Sequence, residues 1–61
     1  MDNFSEQLKA ARNAAGLSQN GMAKTMLISV RTIQHWELGE RTPPLYVQRF
    51  VLNELRSLAH K

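Results

Sequence analysis

Apolar residues recur at helical spacing in four stretches of this chain, each bounded by residues that start or stop helices. Phe4, Leu8, Ala11 and Ala15 form the first set, behind Asn3-x-x-Glu6. That pattern is a capping box, with Asn3 as N-cap and Glu6 reaching back to it. Gly16 follows where a left-handed residue would end the helix, so the first helix is predicted over about 4–15. Ser18 suits the N-cap of a second helix over 18–26, which places Met22, Ala23 and Met26 inward. Ser29 caps a third over 29–38, closed by Gly39. Glu40-Arg41-Thr42-Pro43-Pro44 must be a loop. Pro43 precedes another proline and is pushed out of helical backbone, so Pro44 is expected to open a fourth helix over 44–59.

Two of these helices carry more than a fold signal. On the third, Ile33 and Trp36 share one side, while Val30, Arg31, Gln34, His35 and Leu38 share the other. A helix that hides an Ile and a Trp while presenting Arg, Gln and His suits the edges of base pairs. Arg can fork onto guanine and Gln can pair with adenine, in a major groove wide enough for one helix. On the fourth, Leu45, Tyr46, Val47, Phe50, Val51, Leu52, Leu55 and Leu58 cover more than half the circumference. One small core needs less. Tyr46, Phe50, Leu52, Leu55 and Leu58 are therefore a candidate surface for a homodimer or a protein partner; the other option is that they close the core over Trp36 and Phe4.

Leu17-Ser18-Gln19, Ala23, Ile28-Ser29, Ile33, Trp36-Glu37, Gly39, Arg41 and Pro43 carry a resemblance. On these residues, spaced without a gap, the chain resembles the phage-repressor and Cro-type (XRE-like) helix-turn-helix family, from about Phe4 to Leu58. The resemblance implies an all-α, compact, lambda-repressor-like fold of four helices, or five as in many relatives. It implies a transcriptional regulator, a repressor, that binds double-stranded DNA with the third helix in the major groove. Val30, Arg31 and His35 match positions that meet base edges, and Gln34 lies beside them, within reach of a base or a phosphate. Val30 would touch a thymine methyl, and Arg31 is the first choice for a guanine. Gln19 matches a glutamine that binds a phosphate and braces the reading helix. Ser18 and Ser29 are N-caps first, with phosphate contacts at their helix N-termini on top of that role. Lys24, Thr32 and Arg41 are expected backbone contacts, although a merely solvated Lys24 is nearly as good a reading. Arg12 and Glu37 match a partly buried ion pair between helices one and three. Trp36 matches a core position against the last helix. Two residues depart from the family pattern. Leu27 stands where the turn usually has a glycine of positive φ, and Gly21 interrupts helix two at a cost of up to ~1 kcal/mol.

Bulk properties narrow the reading without carrying it. Sixty-one residues allow a single domain, 1–61, with a small stability margin. The chain has no Cys, which excludes disulfides and thiolate metal sites and fits an intracellular home, and the resemblance implies a cytoplasmic, prokaryotic or phage-encoded protein on DNA. No apolar run reaches membrane-span length, so no membrane partner is expected. Eight Lys plus Arg against five Asp plus Glu give a net charge of +3, which suits a polyanion but decides little. His35 and His60 lack acidic or thiol companions at ligand spacing, so no metal and no cofactor are expected. In its charged form His35 would strengthen phosphate contacts or change base preference, which links affinity or specificity to mild acid. An enzyme is not expected: the chain has no acid pair in helical register, no phosphate-gripping glycine loop and little room for a closed pocket. The rival reading is an antitoxin or a phage or plasmid accessory protein, whose apolar last helix covers a toxin or another protein.

Overall fold

The computed structural model describes residues 3–60, in which four helices follow one another: α1 (Phe4–Ala14), α2 (Gln19–Met26), α3 (Val30–Leu38) and α4 (Leu45–Ala59). Side chains cap the first three at their N-termini. Asn3 Oδ1 accepts from the Glu6 amide at 3.0 Å, Ser18 Oγ from Gly21 at 2.9 Å and Ser29 Oγ from Arg31 at 3.2 Å. Each bond satisfies an amide that the helix itself leaves without a partner. The return arm expected of Glu6 does not form, and its carboxylate lies 3.9 Å from Lys9 Nζ, one turn along. Gly21 also has a local reason. A Cβ there would sit 3.3 Å from Ser18 Oγ, so a larger residue would crowd the hydroxyl that caps its own amide.

α4 starts one residue later than the sequence suggests. Pro44 is its N-cap, with ψ 155°, rather than its first helical residue. An N-cap carbonyl already accepts helical bonds, and Pro44 O takes the amides of Val47 and Gln48 at 3.0 and 3.1 Å. Pro43 is buried, and its carbonyl accepts from Gln48 Nε2 at 2.8 Å. That bond pins the loop to the first turn of α4.

The C-termini of α1, α2 and α3 share one device. In each, the residue after the last turn takes a left-handed conformation, and the next amide reaches back to a carbonyl five residues earlier. The bonds are Leu17 N to Arg12 O at 3.2 Å, Ile28 N to Ala23 O at 3.1 Å and Glu40 N to His35 O at 3.0 Å. Glycine makes the turn at 16 and 39, but Leu27 makes it at φ 57°. Leu27 is also 91% exposed, so no packing offsets its backbone strain.

Phe4 and Leu8 of α1, Met22 of α2, Ile33 of α3 and Val51, Leu52 and Leu55 of α4 form the buried core. α1 is central to it: α1 packs on both α3 and α4, and α2 packs on α3. This arrangement corrects the reading of α4. Leu52 (7% exposed) and Leu55 (0%) are core residues, not partner surface, because α1 lies along that arc of the helix. Leu58 is half-buried. Tyr46 and Phe50 stay outside at 75% and 61% exposure, joined by Leu45 at 60%. Trp36 is half-buried rather than fully inside the core; it packs against the core cluster, and its ring meets Phe4 of α1 edge-on at 5.9 Å and 69°.

Leu27→Gly should stabilise the protein. Removing the left-handed strain gains about 1–2 kcal/mol, and the extra freedom of glycine in the unfolded chain takes back about half. For a domain of this size, ~1 kcal/mol raises the thermal midpoint by about 4–8 °C. Thermal unfolding followed by circular dichroism measures this directly. Leu27→Ala keeps its Cβ and should shift the midpoint far less.

Candidate nucleic-acid interface

Burial fixes how α3 is rotated. Ile33 is fully buried and Glu37, one turn on, is buried beside it, so the opposite side must face solvent. Arg31, Gln34 and Leu38 are exposed there, Leu38 at 72%, with His35 half-buried between them. Val30 and Thr32 flank this face and are half-buried. The structure thus gathers Arg31, Gln34 and His35 on one surface, with Val30 turned partly towards the core.

Glu37 is the charged residue inside that core, at 7% exposure. Its Oε2 accepts from Arg12 Nε at 2.7 Å, and its Oε1 accepts from Arg12 Nη2 at 3.2 Å and from Gln19 Nε2 at 3.1 Å. The forked Arg–carboxylate pair fixes direction as well as distance. Arg12 Nη1 donates in turn to Leu17 O at 2.9 Å, on the linker between α1 and α2. Among the described residues no buried side-chain polar atom lacks a partner. One carboxylate therefore ties α1, the start of α2 and the middle of α3 together.

The network also reaches the surface. Gln19 Oε1 accepts from Gln34 Nε2 at 3.5 Å, so the exposed glutamine of α3 rests on the first residue of α2. Sequence reasoning anticipated the brace from Gln19 but not this second link to Gln34. Ser18 and Ser29 are exposed, with both hydroxyls engaged as caps. Lys24 and Arg41 are exposed, and the Arg41 amide donates to His35 O at 3.4 Å. No cluster of three or more His, Cys, Asp or Glu able to hold a metal occurs among the described residues.

Glu40 was missed altogether. Its Oε1 lies 2.7 Å from His35 Nδ1 on the same face. The signal was present in Gly39: a left-handed turn after a helix brings the following residue back over the one five positions earlier. The sequence pattern alone places Glu40 only at the start of the loop that follows Gly39.

Removing one side of the buried pair should be costly and removing both should not. Glu37→Met strands the Arg12 guanidinium, whose side chain keeps only 14% exposure. The loss should approach ~3 kcal/mol, the low end for a broken buried pair. A chain of this length has roughly 3–9 kcal/mol in all. Urea unfolding should show that drop for Glu37→Met and recovery of most of it in Arg12→Met/Glu37→Met, where no charge is left unpaired. Equal stability of the single variant and the parent would refute the brace.

A family model of the helix-turn-helix matches residues 8–47, about two thirds of the chain, from the second turn of α1 into the first turn of α4. No curated protein and no solved structure matches the chain. No helix among the described residues is long and apolar enough to cross a membrane. With two short helices set by a buried ion pair and a polar face on the second, the chain belongs to the Cro/XRE-type helix-turn-helix family of DNA-binding domains.

Proposed function

We propose that this DNA-binding domain is a sequence-specific transcriptional repressor that lays α3 in the major groove of its operator. What carries the reading is the row of exposed Arg31 and Gln34 with half-buried His35 on a helix whose rotation is fixed by Ile33 and Glu37. Arg31 reads a guanine through O6 and N7, and Gln34 reads an adjacent base once it leaves Gln19. Val30 and Leu38 offer apolar contact to thymine methyls at either end of the face. Lys24, Thr32 and Arg41, with the capped N-termini of α2 and α3 at Ser18-Gln19 and Ser29, take the phosphates. These contacts set register without carrying sequence.

A single module buries only about 600–1,000 Å² on DNA, which limits affinity and specificity. A second copy on a two-fold operator, with half-sites roughly 34–36 Å apart, overcomes that limit. Leu45, Tyr46 and Phe50 supply an exposed apolar patch on the first half of α4 that such pairing would cover. Leu52 and Leu55 play no part in it.

Selection of bound sequences from a random duplex library tests both steps. The intact protein should enrich a palindrome. Arg31→Ala should lose about 1–3 kcal/mol and relax one position in each half-site. Arg41→Ala should weaken all sequences alike and lower the salt slope by about one. Phe50→Lys should bind a single half-site and sediment as a monomer while its fold stays intact. Salt-sensitive binding with no enriched sequence would reject the repressor reading and favour a protein-interaction role.

A further inference from the structure

We infer that Glu40 is a specificity-positioning residue: it fixes the tautomer of His35 so that the ring presents Nε2 to the operator as a hydrogen-bond acceptor. The inference rests on the DNA reading above and adds to it a residue and a base preference. Gly39, at φ 79°, closes α3 and sends the chain back over its last turn. Glu40 is held there twice. Its amide donates to the His35 carbonyl at 3.0 Å, and its carboxylate Oε1 lies 2.7 Å from His35 Nδ1. The backbone bond sets where the side chain starts, so the carboxylate meets the ring as a consequence of the turn.

An ionised carboxylate can only accept, so the hydrogen of this contact lies on Nδ1. In the neutral ring Nε2 then carries a lone pair. Nε2 has no partner among the described residues, and the ring sits on the face that holds Arg31 and Leu38. Glu40 also stands just beyond the C-terminus of α3, where the helix dipole disfavours an anion. Contact with the histidine offsets that placement. In the major groove the donors are the amines of adenine N6 and cytosine N4, whereas guanine shows acceptors at O6 and N7. His35 set in this way selects adenine or cytosine. Arg31, one turn earlier, selects guanine. The two neighbours thus read opposite polarity.

Library selection at pH 8.5, well above the ordinary titration range of an imidazole, should give the intact protein one position per half-site at which adenine or cytosine exceeds guanine. The preference should be roughly three- to tenfold, the worth of one hydrogen bond. His35→Ala and Glu40→Ala should both flatten that position and leave the Arg31 position unchanged. Glu40→Gln keeps an oxygen that accepts from Nδ1–H and should retain the preference. Long-range ¹H–¹⁵N correlation on the DNA-free protein reads the tautomer directly: Nδ1–H in the intact chain, and Nε2–H gained in Glu40→Ala. Unaltered base preference in Glu40→Ala, or Nε2–H in the intact chain, overturns the inference while the DNA reading stands. An intact chain that enriches no sequence overturns the DNA reading, and this inference with it.

Discussion

A carboxylate taken out of water in so small a domain is a large liability, and the geometry of this one depends on how Glu37 is satisfied. Apolar contacts alone would let α2 and α3 slide on α1, because methyl groups and rings attract without direction. The bonds from Arg12 and Gln19 to Glu37 have direction, and they come from two different helices. Each contact excludes a range of interhelical angles that Leu8, Met22 and Ile33 would tolerate. The pair adds little net stability over a well-packed apolar substitute. Its product is a defined orientation of the helix that carries Arg31. Gln19 then makes that orientation depend on α2 as well, so the two helices of the motif cannot turn independently.

Helix ends do a second job. The linkers between α1, α2 and α3 are short, and each depends on one left-handed residue followed by an amide that returns to the helix just finished. Tight linkers keep the reading unit small, and they also determine which side chains meet. Leu17 delivers its carbonyl to Arg12 because the α1 turn folds it back, and Glu40 reaches His35 because the α3 turn does the same. The turn at Leu27 is made against steric preference by a residue with nothing to pack on. Its conformation is imposed by the helices on either side.

Local sequence signals were legible wherever one residue type is needed for one local geometry. Asn3, Ser18 and Ser29 mark helix starts through short-range bonds, and Gly16 and Gly39 mark ends through their backbone freedom. The side of α3 that faces solvent was legible for the same reason, since Ile33 and the Arg31–Gln34–His35 set are separated by helical period alone. Partnerships across helices were not. Nothing local distinguishes Leu52 and Leu55 from Tyr46 and Phe50, which are all apolar residues on one unbroken helix. Only the position of α1 buries the first pair and leaves the second exposed. The apolar character of Trp36 shows that it packs, but only the fold shows that Phe4 is the ring it meets. Glu40 escaped notice because its role arises from a turn, and acidic residues after a glycine usually read as solvated.

The polar chain is loosest at the surface. Arg12 meets Glu37 at 2.7 and 3.2 Å, Gln19 meets Glu37 at 3.1 Å, and Gln34 meets Gln19 at 3.5 Å, while the residues pass from buried to exposed. A bond of 3.5 Å is weak and costs little to exchange. On the proposed DNA reading, Gln34 would leave Gln19 for a base edge without disturbing the pair that sets the helix. Rigidity at the root fixes where α3 points, and slack at the tip leaves the exposed Gln34 free to change partner. A uniformly tight network would have tied up Gln34, and a uniformly loose one would have left the rotation of the helix undefined.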